Sequence, residues 1–279
     1  MRCRKWNSLS LALAVAIPGG CSVSWDTPGP QELYLKNYVD AHFHALGTEF
    51  VDALSRTDFL TQLRRTRVLY LGDHHRDVQL HARMLELLDW ICAQGLRPVI
   101  GMEAIGSQDN PSLQEFLVGG IQLDALRRRI VSRWPLSWLE RQGVDRAFFR
   151  DLLRRTHRHK LDAFPLEPTP RFGLDHRDGV IATNIRRALR LYPDRLILVI
   201  VGHAHILGDG HLLGRVGAPS MTIAARCSPV LTRAIARHPP VGKHEFLRTD
   251  RGVLFFPPRS VERISGAGFG TQSSEVRKP

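Results

Sequence analysis

Cysteine is scarce in this chain of 279 residues, which contains four of them. None is arranged as CxxC or CxxCH. The sequence therefore argues against a haem attached covalently through thioethers and against a zinc site built from paired thiolates. It also contains no P-loop, no GxGxxG fingerprint and no internal repeat, so the nucleotide-binding and repeat classes that carry these signatures are not indicated.

The two cysteines in the body of the chain, Cys92 and Cys227, lie in apolar surroundings. In an oxidising compartment they could form a disulfide, and as buried free thiols they would pack like small apolar residues. The sequence leaves both alternatives open.

Long hydrophobic runs are also lacking. The apolar stretch at residues 9–17 is too short to span a bilayer as a stable helix, and it follows a basic segment at residues 2–5. We therefore interpret residues 1–21 as a signal peptide. Its end resembles the lipobox of bacterial lipoproteins, which implies lipidation of Cys21 and a membrane anchor, and Ser22 is compatible with the periplasmic face of an outer membrane. Ordinary signal cleavage and an uncleaved anchor are the alternatives.

Acidic residues are outnumbered, with 27 Asp and Glu against 39 Lys and Arg, for a formal net charge of +12. Removal of residues 1–20 takes away three basic and no acidic residues and leaves +9. No DNA- or RNA-binding motif accompanies this charge, so we expect no nucleic-acid partner. A positive exterior suits an anionic lipid surface or an acidic ligand.

What the sequence does contain is a buried strand that ends in titratable side chains. Residues 68–71 form a continuous apolar run, Gly72 allows a turn, and helical spacing of apolar residues begins near Arg76. Asp73 and His75 therefore lie at the carboxyl end of a strand, just before a helix. In open α/β sheets, ligands bind at that position.

Two later segments have the same form, at residues 98–103 and 196–205. If the three strands are parallel neighbours, their polar ends meet at one edge of the sheet: Asp73, His75, Glu103, His203 and His205. Such a cluster suits a metal, a proton-transfer site or the surroundings of a larger cofactor. Any one of these residues alone would be interpreted as a cap or a surface group.

A predicted helix over residues 177–191 begins with Arg177 and Asp178 and carries Asn184 about two turns later. Asp178 complements the helix dipole in the first turn. Arg177 and Asp178 either cap the helix and pair with each other, or Arg177 points into the site and holds an anionic group. The sequence leaves these two interpretations open.

The motifs resemble, in their order and spacing, those of the ChaN-like haem-binding lipoproteins of the Tiki superfamily, to which the erythromycin esterases are similar. The matching elements are Gly72-Asp73-His74-His75, Gly101-Met102-Glu103, Arg177-Asp178 with Ala182 and Asn184, and Gly202-His203-Ala204-His205. The resemblance covers residues 65–215.

The resemblance implies an exported lipoprotein of iron acquisition that binds haem or an iron-related ligand, in some members between two subunits of a homodimer. The residues implied to surround this ligand are Asp73, His75, Glu103, Arg177, His203 and His205. The studied members use an axial tyrosine, and no tyrosine of this chain lies in a matching motif.

A hydrolase is the alternative function for the same residues. His75 paired with Glu103 would act as a general base on water, as the esterase resemblance implies, and His203 would orient the substrate or stabilise an oxyanion. His75, Glu103 and His203 are also our candidate ligands for a divalent metal, which would lower the pKa of a bound water.

The order of elements predicts an α/β fold with a mainly parallel central sheet and flanking helices. The family resemblance implies a helical insertion over the carboxyl edge of the strands. We expect a tether over residues 22–47, a single ChaN/Tiki-like domain over residues 48–263 and a disordered tail over residues 264–279. Within the domain, the apolar spacing predicts a helix over residues 49–64. Turn residues predict a hairpin within residues 244–257 at the edge of the sheet.

Overall fold

The structure is a computed structural model that describes residues 37–38, 41–134, 137–167, 173–207, 211–225, 230–233 and 246–256. The predicted signal peptide with Cys21, most of the predicted tether, Cys227 and the predicted tail lie outside these residues. Cys92 is a half-buried free thiol. No helix in the described part of the chain is long and apolar enough to cross a bilayer.

One sheet of eight strands forms the centre of the molecule. The strands are β1 (Phe50–Leu54), β2 (Val68–Asp73), β3 (Val99–Gly106), β4 (Ala163–Glu167), β5 (Ile197–Gly202), β6 (Ser220–Ala224), β7 (Phe246–Thr249) and β8 (Leu254–Phe255). Helices whose bounds lie within the described residues are α1 (Arg56–Leu63), α2 (Val78–Ala93), α3 (Asn110–Leu117), α4 (Leu123–Arg133), α5 (Arg146–Arg158), α6 (Leu174–Leu191) and α7 (Leu212–Val216). Short 3₁₀ helices occupy Phe43–Leu46, Ser107–Asp109 and His203–Ile206.

The strand order is β1-β7-β8-β6-β2-β5-β3-β4, and the pairs from β8 to β4 are parallel. The pairs β1–β7 and β7–β8 are antiparallel. The predicted α/β fold with a mainly parallel sheet is therefore confirmed. The three strands whose polar ends were expected to meet, β2, β5 and β3, are direct neighbours.

The central strands are apolar on both faces because helices cover both sides of the sheet. Successive side chains of a strand point to opposite faces. Leu69 and Leu71 accordingly pack in a core with α2 and α5, whereas Val68 and Tyr70 pack in a second core with α6. This division places α2 and α5 on one side of the strand ends and α6 on the other.

The helical insertion lies between β3 and β4 and comprises α3, α4, α5 and the segment that joins α4 to α5. Trp138 of this segment packs on the ring of His75, with 4.0 Å between centroids. The backbone N–H of Asp145 donates to the carbonyl of His75 over 2.7 Å. The insertion therefore contacts the turn that follows β2.

The helix predicted over residues 49–64 is wrong in its first half. Phe50–Leu54 is strand β1, which pairs with β7. The helix begins only after Ser55, whose side chain accepts a hydrogen bond from the backbone of Asp58 as an N-cap. Because β1 finds its partner almost 200 positions away, local spacing could not reveal it.

The predicted hairpin is confirmed as β7 and β8, but β1 rather than the hairpin forms the edge of the sheet. The end of the predicted tether also packs on the domain. Leu46 is buried and its carbonyl accepts from Thr249 Oγ1, while Tyr38 Oη donates to the carbonyl of Leu207.

Candidate functional site

Two networks of carboxylates and imidazoles lie at the carboxyl edge of the sheet, one on each face. The first is built around Asp73, which ends β2 and is buried. Its Oδ2 accepts from His75 Nδ1 and its Oδ1 accepts from His81 Nε2, each over 2.6 Å. His81 Nδ1 donates to Asp145 Oδ2 over 2.9 Å. The first network is therefore the chain His75–Asp73–His81–Asp145.

Local structure places each member of the first network. Asp77 caps α2 by accepting from the backbone of Leu80 over 3.0 Å, so His81 lies in the first turn of that helix and points back to Asp73. The ring of His81 stacks on Phe148 of α5, with 4.0 Å between centroids and 6° between planes. Helix α5 in turn begins at its own cap, Asp145.

Burial and hydrogen bonding act in opposite directions on the ionisation of this network. Burial would raise the pKa of Asp73, but the adjacent His75 and His81 outweigh it, so its pKa is lowered. Burial would lower the pKa of His81, but Asp73 and Asp145 outweigh it, so its pKa is raised. The favoured state is a buried ion pair of a carboxylate with an imidazolium.

The second network is built around the guanidinium of Arg177, which is buried in the first turn of α6. Its Nη2 donates to Glu103 Oε1 over 2.5 Å, and its Nε donates to the two oxygens of Glu167 over 3.0 and 3.1 Å. Glu103 comes from β3 and Glu167 from the end of β4. Arg177 therefore joins two strands to the helix that covers them.

Imidazoles extend the second network. Glu103 Oε1 lies 3.5 Å from His205 Nε2, and Asp178 accepts hydrogen bonds from both His205 Nδ1 and His211 Nδ1. Burial would raise the pKa of Glu103, but His205 and Arg177 outweigh it and hold that pKa well below its usual range. Burial would lower the pKa of His205, but Glu103 and Asp178 raise it to about 9.

The two networks converge above Gly202, at the end of β5. The backbone N–H of Gly202 donates to Glu103 Oε2. A Cβ placed on Gly202 would lie 3.3 Å from Glu103 Oε2 and 3.4 Å from His75 Nε2. Because glycine leaves this space open, His75 and Glu103 can face the same small volume.

His203 and His205 are separated, although the sequence analysis grouped them. His205 is buried next to Glu103, whereas the ring of His203 faces Phe43 at 5.9 Å. His203 Nδ1 also lies 3.2 Å from the position that a Cβ on Gly72 would occupy. The candidate catalytic and metal set was His75, Glu103 and His203. The structure brings His75 and Glu103 together, but it places His205 rather than His203 beside Glu103.

Exposure distinguishes one residue of the implied ligand set from the rest. Five of its members are buried: Asp73, Glu103, Arg177, His203 and His205. The side chain of His75 is 32% exposed. His75 is therefore the member of this set that an external ligand can contact from solvent, while the buried residues orient it and set the local charge.

Among the described residues, one set of candidate metal ligands has its donor atoms within 4.8 Å of one another: Glu103, Glu167 and His205. Arg177 already bridges the two carboxylates of this set. His205 carries a proton at neutral pH because of its raised pKa. A divalent ion would have to displace both positive charges, so the guanidinium fits this position better than a metal does.

Sequence reasoning missed His81, Asp145 and His211 and left Glu167 outside the candidate set. Of the two interpretations of Arg177, the structure favours the one in which it points into the site and holds an anionic group, because its guanidinium bonds the carboxylates of Glu103 and Glu167. Asn184 donates to the carbonyl of Leu166 over 3.1 Å and so ties α6 to β4. A histidine one turn after the Asp77 cap was the available signal for His81.

The fold and the strand-end cluster define an α/β protein with a buried ionic site and one accessible imidazole. Residues 59–168 match the family described as "Haem-binding uptake, Tiki superfamily, ChaN". This match confirms the resemblance inferred from the motifs over a segment that includes His75 and Glu103. No curated protein sequence matches the chain.

Solved structures of similar fold include the type III effector HopBA1, at 12% identity over 75% of this chain and 96% of that chain, with a TM-score of 0.47. ChaN of Campylobacter jejuni, described with cofacial haem binding, matches at 10% identity over 62% and 89%, with a TM-score of 0.41. RRSP, a MARTX toxin effector domain from Vibrio vulnificus, matches at 17% identity, with a TM-score of 0.43; the match covers 69% of this chain and 38% of that one.

Proposed function

We propose that the site binds haem or an iron-related ligand and that His75 is the residue that reaches it. The observation that carries this proposal is the partial exposure of His75 in an implied ligand set whose other five members are buried. The family description over residues 59–168 supports haem as the ligand class.

The residues present fit an iron porphyrin. Metal-binding histidines donate their second ring N–H to a carboxylate or carbonyl, and His75 Nδ1 donates to Asp73. This leaves His75 Nε2 as the nitrogen with a lone pair. When bound, haem would supply an iron centre, and His75 would hold it through this nitrogen.

Tyrosine is a poorer candidate than His75 for the iron ligand in the described part of the chain. Tyr70 is buried in the core, and burial raises the pKa of its hydroxyl above the usual value. Tyr38 donates its hydroxyl to the carbonyl of Leu207. Tyr192 lies just after the C-terminal end of α6, away from the first turn that enters the site, and Tyr34 lies outside the described residues.

A titration of hemin into the purified chain, followed by the Soret band, tests this function. We expect saturable binding near one or one half haem per chain, and an affinity at least about tenfold lower for His75→Ala. His157→Ala is the matched control, because His157 is an exposed histidine that contacts Phe116 and the carbonyl of Leu117 instead. Equal binding by His75→Ala and the parent would remove His75 as the ligand.

A hydrolase is the second candidate, and the shared space above Gly202 favours it. The Asp73–His75 pair has the form of a general base oriented by a carboxylate. Glu103 is held as an anion by Arg177 and the N–H of Gly202, so it would stabilise positive charge on His75 rather than donate a proton.

Turnover of a panel of nitrophenyl esters by the metal-depleted chain tests the hydrolase. We expect a fall in kcat of about 10²-fold or more for both His75→Gln and Asp73→Asn if His75 is the base. If the parent turns over none of the esters but shows a Soret response to hemin, the binding function is supported and the hydrolase is rejected.

We also propose that the chain is exported and anchored to the outer membrane through lipidated Cys21. There it would work in iron uptake and could bind haem as a homodimer. The support is the sequence of residues 1–22 and the family description. Labelling of growing cells with a fatty-acid probe should mark the parent and leave Cys21→Ser unmarked. Unprocessed, unlabelled parent protein in the cytoplasm would contradict export and anchoring. A parent protein that sediments as a monomer both with and without haem would contradict the dimer.

A further inference from the structure

His81 is a buried residue of the first network that no candidate function has yet used. Its side chain is 1% exposed, and both of its ring nitrogens face carboxylates: Nε2 faces Asp73 and Nδ1 faces Asp145. Ionised carboxylates only accept hydrogen bonds, so both nitrogens of His81 must donate. His81 therefore acts as a doubly protonated bridge between the two acids.

We propose that His81 and Asp145 are positioning residues that hold His75 in the Nδ1–H tautomer, with Nε2 directed to the ligand. This inference adds two residues to the proposed site. It rests on the proposed function in one respect, because it takes His75 as the residue that contacts the ligand.

The first step of the argument is the orientation of Asp73. His81 holds its Oδ1 while His75 uses its Oδ2, each at 2.6 Å. With Oδ1 bonded to His81, rotation of the carboxylate is restricted and Oδ2 stays within reach of His75 Nδ1. An ionised carboxylate oxygen only accepts hydrogen bonds, so His75 must carry a proton on Nδ1 to bond it.

The second step is the link to the helical insertion. Asp145 accepts from His81 through Oδ2 and from the backbone of Phe148 through Oδ1 over 3.2 Å, which caps α5. Its own N–H donates to the carbonyl of His75 over 2.7 Å. One residue of the insertion thus fixes both the backbone of His75 and, through His81 and Asp73, its side chain.

The third step is packing. Phe148 stacks face to face on His81, and Trp138 lies on His75, so the insertion covers one face of each imidazole. Rotation of either ring would break these contacts as well as the hydrogen bonds. The insertion is therefore part of the site and not only a cover over it.

Nuclear magnetic resonance of the full chain labelled with ¹⁵N-histidine reads the tautomer directly. At mildly alkaline pH we expect His75 to show a single Nδ1–H form in the parent and a mixture of both tautomers in His81→Gln and Asp145→Asn. In the same variants we expect the dissociation constant for hemin to rise by about tenfold, as is typical when the partner that orients a metal-binding histidine is lost.

The chain offers a matched control in Asp77→Asn. Asp77 caps α2 as Asp145 caps α5, and Asn replaces Asp at a cap with little loss. The side chain of Asp77, however, accepts from the backbone N–H of Leu80 and not from the ring of His81. A His75 tautomer unchanged in both His81→Gln and Asp145→Asn would overturn the inference, and so would an equal change in Asp77→Asn. Asp145→Asn alone decides the test if His81→Gln does not fold.

The two proposals fail separately. If hemin does not bind the parent, the proposed function is lost, while a change of tautomer in Asp145→Asn still supports the positioning role. If hemin binds the parent but the tautomer of His75 does not respond to either variant, the positioning role is lost and the proposed function stands.

Discussion

At the scale of single residues, Gly202 shapes the site because it has no side chain. The backbone of Gly202 holds Glu103, and the empty position of its Cβ is shared by Glu103 and His75. A methyl group there would be in unusually close contact with both. Glycine therefore keeps the two networks in reach of each other.

We predict that Gly202→Ala lowers hemin affinity and destabilises the protein by about 1–3 kcal/mol, because the added methyl must displace Glu103 or His75. Urea unfolding and the Soret titration measure the two effects. Gly214→Ala is the control, since a Cβ at Gly214 in α7 would meet nothing within 4 Å. Parent-like hemin binding by Gly202→Ala would show that this space is not used by the ligand.

The separation of His203 from His205 is also a residue-scale effect with a local cause. In a strand, residues two apart point to the same side. The segment His203–Ile206 is instead a 3₁₀ helix of three residues per turn, which turns the two side chains away from each other. Although His203 and His205 are only two residues apart, His205 alone of the two therefore lies beside Glu103.

At the scale of secondary-structure elements, α6 is held to the sheet by charge as well as by its apolar face. Ile181 and Ile185 pack in the core, while Arg177 bonds the carboxylates of β3 and β4. Glu103 and Glu167 would be left as neighbouring buried anions without this guanidinium. The guanidinium of Arg177 thus anchors the first turn of α6 to both strands.

Arg177→Met should therefore destabilise the protein by about 3–5 kcal/mol, the usual cost of removing one partner from a buried ion pair. Arg187→Met, at an exposed position of the same helix, should change stability by no more than about 0.5 kcal/mol. The measurement is the free energy of unfolding in urea. Equal stability of the two variants would mean that the network contributes nothing beyond the packing of α6.

At the scale of the whole molecule, the networks make stability depend on pH. The folded pKa of His205 is about 9, above its ordinary value of 6.5, so protonated His205 stabilises the folded state fully below the ordinary pKa. This contribution is lost as the pH rises from 6.5 to about 9. The raised pKa of His81 acts in the same direction.

We predict a loss of about 3 kcal/mol in the free energy of unfolding between slightly acidic and alkaline pH, from a shift in pKa of between two and three units. Urea unfolding of the parent and of His205→Gln at both pH values checks it. The variant should be less stable at the lower pH and should show a weaker pH dependence. A parent whose stability is equal at both pH values would refute the assignment of a protonated His205.

Local sequence determined much of the molecule. Apolar runs followed by Asp73, by Glu103 and by the histidines after Gly202 predicted three buried parallel strands with polar ends, and β2, β5 and β3 are neighbours. The reason is physical: a strand covered on both faces must be continuously apolar, and parallel strands end at the same edge. The fold class and the location of the site follow from these two facts.

Tertiary structure decided which side chains of the site contact one another. Asp145 reaches His81 from 64 positions away, Arg177 joins Glu167 to Glu103, and β1 pairs with β7 across most of the chain. Such contacts depend on which elements pack together, and no spacing along the chain encodes them. The sequence thus specified which chemical groups stand at the strand ends, and packing alone selected His75 as the group left open to solvent.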